Sequence, residues 1–456
     1  MAASPRACII GAGSSGITAV KALHDAGIPF DCYEKSDCIG GNWAFGNKNG
    51  MSAAYRTLHI NSSRDSMQYA DYPMPKTLPF FPHHTHIAAY FNDYVDHFGL
   101  RDKITFNTGV EHAERRPDGR WAIRLEDGTV HDYDALLVAS GHHWDPRWPD
   151  PPFPGHFDGT QMHAHAYRDN AMLSGKRVVV VGMGNSAMDI AVESSYVAQH
   201  TYLSARRGAY VIPKYLFGRP GDLLPFPLNL GDPRIPQRLR RRIPWRVRQT
   251  VMQRVLRLAV GRPEQYGLPR PEHGILQAHP TVSDTILSRL AHRAITPKPT
   301  IAELLGHRVR FVDGSLEEVD VIVYCTGYKI SFPFFDPDFI SAPDNDLPRF
   351  MRVFMPDINN VFFVGFVQPW GAIMPIAEVQ AKWVADYLRG IYALPSPPAM
   401  RAAMESERSE MFERYVSSRR HTMQVDVGDY LYDVAQERNA GAERARRRTL
   451  AAAGHG

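Results

Sequence analysis

The sequence predicts an α/β chain with two strand–turn–helix domains of related design, the second inserted in the first. Three observations carry this. An apolar run enters the glycine turn Gly11-Ala12-Gly13-Ser14-Ser15-Gly16, and the same grammar returns at Gly182-Met183-Gly184-Asn185-Ser186-Ala187. Two Asp-Gly turns also stand at equal distances ahead of two small-residue-Gly turns. With 456 residues there is room for two or three domains, and 44% hydrophobic content suits ordinary globular cores.

In the first domain, Ala7-Cys8-Ile9-Ile10 reads as a strand and Ile17 to Ala26 as a helix that stops at Gly27. In that context G-x-G-x-x-G is a Rossmann-like dinucleotide fingerprint. Its glycines permit a tight turn and close approach to a pyrophosphate, whose charge meets free N–H groups at the helix N-terminus. Gly11, Gly13, Ser14, Ser15 and Gly16 are therefore candidate cofactor contacts. The next strand, Pro29 to Tyr33, ends at Glu34, a carboxylate that can accept from ribose hydroxyls but would repel a 2′-phosphate. FAD or NAD is expected here, not NADP.

In the second domain, Arg177-Val178-Val179-Val180-Val181 has the unbroken apolar run of a strand buried on both faces. The turn that follows offers Gly184, Asn185, Ser186 and Ala187, and its helix carries Asp189. After a strand from His200 to Leu203, Ser204-Ala205-Arg206-Arg207 stands where the first domain has Glu34. A guanidinium donates to phosphate in a planar fork, so this domain is expected to select NADPH by its 2′-phosphate. Arg206 is the first candidate and Arg207 or Ser204 the alternatives; a solvated arginine pair in a turn is the bland reading.

Asp127-Gly128 opens a hairpin turn, and the strand Ala135-Leu136-Leu137-Val138 then reaches Ala139-Ser140-Gly141. Asp313-Gly314 begins the same events, ending in Val321 to Tyr324 and Cys325-Thr326-Gly327, with equal spacing from Asp to final Gly. A duplicated unit is the economical explanation. A β-meander is expected over Val110 to Arg115, Trp121 to Leu125 and Thr129 to Tyr133, and the Pro-rich stretch Asp145 to Gly155 reads as a linker. The expected domains are 1–155, then 156–315 with a mostly helical insertion at about 213–299, then 316–456 completing the first domain with C-terminal helices such as Glu378 to Gly390. The arginine-rich end after about Gln436 is expected to be mobile.

A formal net charge of +4 is too balanced to argue for nucleic acid. Cys8, Cys32, Cys38 and Cys325 lack the close spacing of a redox disulfide beside a flavin, which disfavours a disulfide reductase. His83-His84-Thr85-His86 and His142-His143 have no matching cysteines or carboxylates at ligand spacing, so no metal is expected. No G-x-S-x-G elbow supports a serine hydrolase. No stretch approaches the roughly 18 apolar residues of a membrane span. The basic, near-helical stretch Arg238 to Arg262 reads as a solvated helix face, with contact to an anionic membrane surface as the alternative.

Between the two glycine turns, Phe157-x-Gly159-x-x-x-His163-x-x-x-Tyr167 resembles the signature of flavin-containing monooxygenases, class B flavoproteins of the N/S-oxygenating type. Glu34-Lys35 with Gly40-Gly41-Asn42-Trp43 resembles that family's flavin-contacting run, and Asn61-Ser62-Ser63 its N-S-S/T segment, whose asparagine sits beside the flavin ring and the nicotinamide. Gly365-Phe366-Val367-Gln368 with Gly371-Ala372 is similar to its flavin-edge segment, and Tyr266-Gly267-Leu268 and Gly274-Ile275-Leu276 to the insertion of animal-type members.

The resemblance implies FAD in the first domain, NADPH in the second, and O2 with a small-molecule amine or sulfide as substrates, oxygenated through a C4a-hydroperoxyflavin. It makes Asn61 the candidate catalytic residue; its bland reading is an N-cap or turn residue. Phe157, Gly159, His163 and Tyr167 are expected to hold the domains in working orientation and not to touch substrate. First-type Baeyer–Villiger enzymes resemble a version with Trp at the last position, whereas Tyr167 matches the N- and S-oxygenating group. Baeyer–Villiger oxygenation of ketones and a non-oxygenating NADPH:flavin oxidoreductase stay as alternatives. The apolar C-terminal anchor of microsomal members is not seen and the start resembles no signal peptide. A soluble, cytoplasmic chain is expected, with a homodimer left open.

Overall fold

The computed structural model describes residues 4–224, 236–415 and 422–453. The chain forms two compact units, one of residues 1–52, 62–142 and 330–456, the other of 53–61 and 143–329.

In the first unit, β1 (Ala7–Ile10) leads into α1 (Ser14–Asp25), which returns through β2 (Phe30–Tyr33). β3 (Ala135–Val138) lies parallel to β1 on its other side, and the five-stranded parallel sheet runs Val361–Phe363, β3, β1, β2, Ile104–Thr105. Every residue of β1 and β3 is buried, as a strand covered on both faces requires. Gly27 stops α1 in the left-handed region at φ +66°, where its missing Cβ removes the penalty. The meander is present as an antiparallel sheet of Val110–Arg115, Trp121–Leu125 and Val130–Tyr133, whose Trp121, Ile123 and Tyr133 share a core with Val138 and Phe363.

The second unit repeats the plan. β4 (Arg177–Val181), α2 (Asn185–Val197), β5 (His200–Ser204) and β6 (Val321–Tyr324) stand where β1, α1, β2 and β3 stand in the first. Its parallel sheet runs Thr160–His163, β6, β4, β5, Thr296–Lys298. The expected insertion is described apart from 225–235; it holds the helices Gln237–Arg241, Trp245–Val260 and Ile286–Ala291 together with short strand pairs.

Three expectations are corrected. Asp145 to Gly155 is part of the second unit and no linker: Asp145–Pro146 pairs with Tyr328–Lys329, and Gly155–Phe157 pairs with Leu304 to Gly306. Proline's fixed φ suits extended edge strands as well as linkers. Consequently the units divide after His142 and Lys329, not near 155 and 315, and Ala53 to Asn61 joins the second unit.

The arginine-rich end is the helix Val427–Ala453. Two of its arginines reach partners outside the helix: Arg438 binds Asp386 at 2.5 Å, and Arg444 Nε donates to the carbonyl of Ala393 at 2.9 Å. Among the described residues no helix is long and apolar enough to cross a membrane.

Candidate functional site

Each fingerprint builds a turn of the same construction. Gly11 has φ +98°, and a Cβ there would stand 2.9 Å from the carbonyl oxygen of Ala139. Gly182 has φ +136°, and its Cβ would stand 2.7 Å from that of Cys325. The small-residue turns after β3 and β6 thus each press on the first glycine of a fingerprint, the physical content of the repeat. Backbone bonds repeat too: Gly11 N donates to Tyr33 O at 2.8 Å and Gly182 N to Ser204 O at 2.9 Å. Gly16 packs α1 onto its own turn, since a Cβ there would fall 1.8 Å from Gly11 O.

The second glycines behave differently. Gly13 and Gly184 are the N-caps of α1 and α2, and neither helix start carries a side-chain cap. The first-turn N–H groups of Ser14 and Ser15, and of Asn185, Ser186 and Ala187, therefore stand at helix N-termini that favour an anion. A Cβ on Gly13 would meet nothing nearer than 3.7 Å, so what needs glycine there is room for an incoming group. On this evidence the turns fit a dinucleotide pyrophosphate.

Around the first turn the structure gathers several candidates. Glu34, 6% exposed, follows β2 directly and accepts from Ala12 N at 2.6 Å and Ser36 N at 2.8 Å. The 3-10 turn Gly41–Trp43, which contains Asn42, lies on the fingerprint: Gly40 N donates to Ala12 O at 3.2 Å, and a Cβ on Gly41 would stand 3.2 Å from Gly13 Cα. Gly365 approaches from the far end of the chain, so close that a Cβ would meet the hydroxyl of Ser15 at 2.0 Å. Gln368 opens a short strand paired with Gln424–Asp426. Lys35 instead points to the surface and pairs with Glu126 at 2.6 Å, where solvent screens the pair. Ser63 is the N-cap of the turn Arg64–Met67, with Ser62 just ahead of it.

In the second unit, Asn185 Oδ1 accepts from Val282 N at 2.8 Å, fixing the turn to the strand Thr281–Val282. Ser204 is buried and donates to Pro299 O at 2.8 Å, so its hydroxyl is already used. Arg206 and Arg207 are both exposed beyond β5. A cavity of about 370 Å³ lies in the inserted region, lined by Tyr210, Gln253, Arg257, Arg262, Arg270 and His273 among others; no candidate cofactor residue lines it.

Phe157, Gly159, His163 and Tyr167 all lie inside the second unit. Phe157 joins the core with Val179 and Ile322, and a Cβ on Gly159 would collide with Asp320 O at 2.4 Å. Burial holds His163 neutral, its pKa lowered to about 4. Tyr167 donates its hydroxyl to Glu193 on α2. His83 caps the helix His84–His97, which gives that histidine run a structural use.

Asn61 is half-buried at the end of Ala53 to Asn61, a segment the sequence offers no reason to place. Tyr55 donates to Asp189, Thr57 to Glu193, and Lys214 Nζ to Ile60 O at 3.0 Å. Desolvation pushes the Asp189 carboxyl up to about 6, with Tyr55 and Lys214 pulling against it. Burial lowers Lys214, opposed by Asp189 and Asp284. Tyr55, Thr57, Glu193 and Lys214 escape the sequence reading; the one available signal is Asn185, Asp189 and Glu193 at four-residue spacing on one helix face.

The family model for flavin-binding monooxygenase-like proteins matches residues 4–444. Flavin-containing monooxygenase 5 of Rattus norvegicus is 35% identical over 448 residues, covering 95% of this chain and 82% of the rat protein. Dimethylaniline monooxygenase [N-oxide-forming] 2 of the same species is 33% identical, with 95% and 82% covered. The structure of S-allyl-L-cysteine S-oxygenase from Allium sativum superposes with a TM-score of 0.69 at 23% identity, covering 96% and 89% of the two chains, and shares the fold. A family match along nearly the whole chain, over a fold with two glycine turns that fit dinucleotides, leads to one assignment: the chain belongs to the flavin-binding monooxygenase-like family and is a flavin-dependent monooxygenase.

Proposed function

We propose that the chain oxygenates a soft nitrogen or sulfur atom of a small molecule at the expense of NADPH and O2, with FAD on the first unit and NADPH on the second. For a tertiary amine the balance is NADPH, H+, O2 and the amine giving NADP+, water and the amine N-oxide. Bound FAD supplies the passage of electrons from NADPH to O2.

The observation that carries the nucleotide assignment is the contrast between two like positions. β2 is followed by a buried carboxylate, whereas β5 is followed by two exposed guanidiniums. Glu34 would take ribose hydroxyls and exclude a 2′-phosphate; Arg206 would pair with that phosphate. The choice of N or S is supported by Tyr167 at the end of the fingerprint and by the rat relative whose name gives an N-oxide as its product.

No side chain need act as a nucleophile. Asn61 would hold the oxygenating state by hydrogen bonds, since an amide donates and accepts without giving up a proton. Product analysis with trimethylamine, a thioether and a simple ketone, alongside NADPH consumption, tests the proposal. N-oxide and sulfoxide are the expected products. Ester from the ketone as the main product would give the Baeyer–Villiger alternative, and NADPH consumption with hydrogen peroxide alone the non-oxygenating one.

A further inference from the structure

The segment from Ala53 to Asn61 contains no helix or strand, yet it belongs to the second unit while the chain on both sides belongs to the first. Such a coil would lose much conformational freedom on being fixed, so something must fix it. The bonds are specific and come in sequence. Tyr55 donates to Asp189, Arg56 N donates to Arg168 O at 2.8 Å, Thr57 donates to Glu193, and Ile60 O accepts from Lys214 at 3.0 Å. Tyr55 also enters the core, its ring centroid 5.9 Å from that of Tyr167, whose hydroxyl shares the Glu193 carboxylate.

Asp189 and Glu193 are one turn apart on the helix whose N-terminus offers its free N–H groups to a dinucleotide. The helix that would hold the pyrophosphate therefore also holds the short segment ending at Asn61.

We propose that Asp189, Glu193 and Lys214 act as positioning residues, a clasp on Tyr55, Thr57 and Ile60 that fixes the Asn61 amide relative to the dinucleotide held by α2. This rests on the reading of Asn61 as the amide that serves oxygenation. The clasp's work is to keep electrons on the path to product: when the amide is displaced, NADPH, H+ and O2 go to NADP+ and hydrogen peroxide. The carboxylate of Asp189 is faced by Tyr55 and Lys214, by Glu193 on its own helix, and by Tyr167 and Cys325 from the elements packed beside it. It accepts from one neutral donor, Tyr55, with the cation Lys214 and the anion Glu193 acting on it in opposite senses.

The test is a double-mutant cycle on the holoenzyme, reading oxygenated trimethylamine and hydrogen peroxide per NADPH consumed. Four proteins are compared: parent, Tyr55→Phe/Thr57→Val, Asn61→Leu, and all three changes together. The clasp variant is expected to retain FAD and to keep its KM for NADPH within about twofold. Its product yield per NADPH should fall about tenfold, short of the roughly hundredfold that a full 1 Å misplacement can cost. Adding the two clasp changes to Asn61→Leu should lower the yield no further, because the clasp acts through that residue.

An unchanged yield in the clasp variant overturns the proposal, and so do losses that multiply in the triple variant. An uncoupled Asn61→Leu enzyme with a silent clasp sinks the clasp alone. If Asn61→Leu yields as much product as the parent, the reading of Asn61 itself is wrong and the clasp has nothing to position. Should the double change prevent folding, Thr57→Val alone, a near-isosteric change at an exposed residue, is judged by the same outcomes.

Discussion

The two units place the same turn in the same kind of sheet and finish it with opposite charge. In both, the first glycine sits under a carbonyl from the turn after the neighbouring strand, and the helix begins on an uncapped second glycine. After the next strand the likeness ends. Glu34 is buried and held by two backbone N–H groups, whereas Arg206 and Arg207 reach into solvent past a serine tied to Pro299. On the proposed assignment, geometry common to both halves would serve what the two ligands share, a pyrophosphate, and the residue beyond the strand would serve what distinguishes them, a free ribose hydroxyl or a 2′-phosphate.

The largest expected effect exchanges the second glycines. Gly13→Val should yield protein without yellow flavin, and Gly184→Val should keep the flavin but lose reduction by NADPH. Because a Cβ on Gly13 has 3.7 Å of clearance, flavin-free Gly13→Ala should melt near the flavin-free parent while its flavin content as purified falls. Flavin lost only from the Gly184 variant would reverse the assignment of the halves.

Next in size, Asn61→Leu should leave FAD bound and reducible but release hydrogen peroxide in place of N-oxide. Product yield equal to the parent in a folded variant would make Asn61 structural.

Smaller again, Arg206→Ala should raise the KM for NADPH about 10- to 100-fold, from about 1.5–3 kcal/mol for a bond to a charged group, and leave NADH nearly unchanged. Equal loss for both nucleotides would move the phosphate to Arg207, since the Ser204 hydroxyl is already committed to Pro299.

The smallest effect is in stability against pH. Asp189 has a folded pKa of about 6 against an ordinary value of 3.8, so its contribution is complete below about 3.8 and is lost as pH rises through 6. An asparagine can still accept from Tyr55 and does not ionise. The Tm of Asp189→Asn should therefore gain on the parent between about pH 4 and 7, by at most about 3 kcal/mol of stability. A constant difference across that range would remove the buried ionisation from the account.

Much of this architecture is legible in the sequence because its causes are local. Unbroken apolar runs mark β1, β3, β4 and β6, and glycines mark the turns that follow them. What escapes depends on distant partners. The arginines after Gln436 look like a solvated tail until Asp386 is seen opposite Arg438. Tyr55 and Thr57 look ordinary until α2 brings Asp189 and Glu193 to them from more than 130 positions away. Arg349, fully enclosed and donating to Phe366 O at 2.9 Å, gives no sign of its burial in the sequence; desolvation lowers it to about 9. The prolines of Asp145 to Gly155 misled because composition alone does not separate a linker from an edge strand.

The central claim is that two like halves carry unlike nucleotides, FAD on the acidic one and NADPH on the basic one. Anaerobic titration of the purified protein with NADPH and, separately, NADH, followed by flavin absorbance, tests it most directly. The account predicts one extractable FAD per chain, bleached by NADPH at concentrations at least about tenfold below those NADH requires. A protein that binds no flavin, or one bleached equally by both nucleotides, would contradict it.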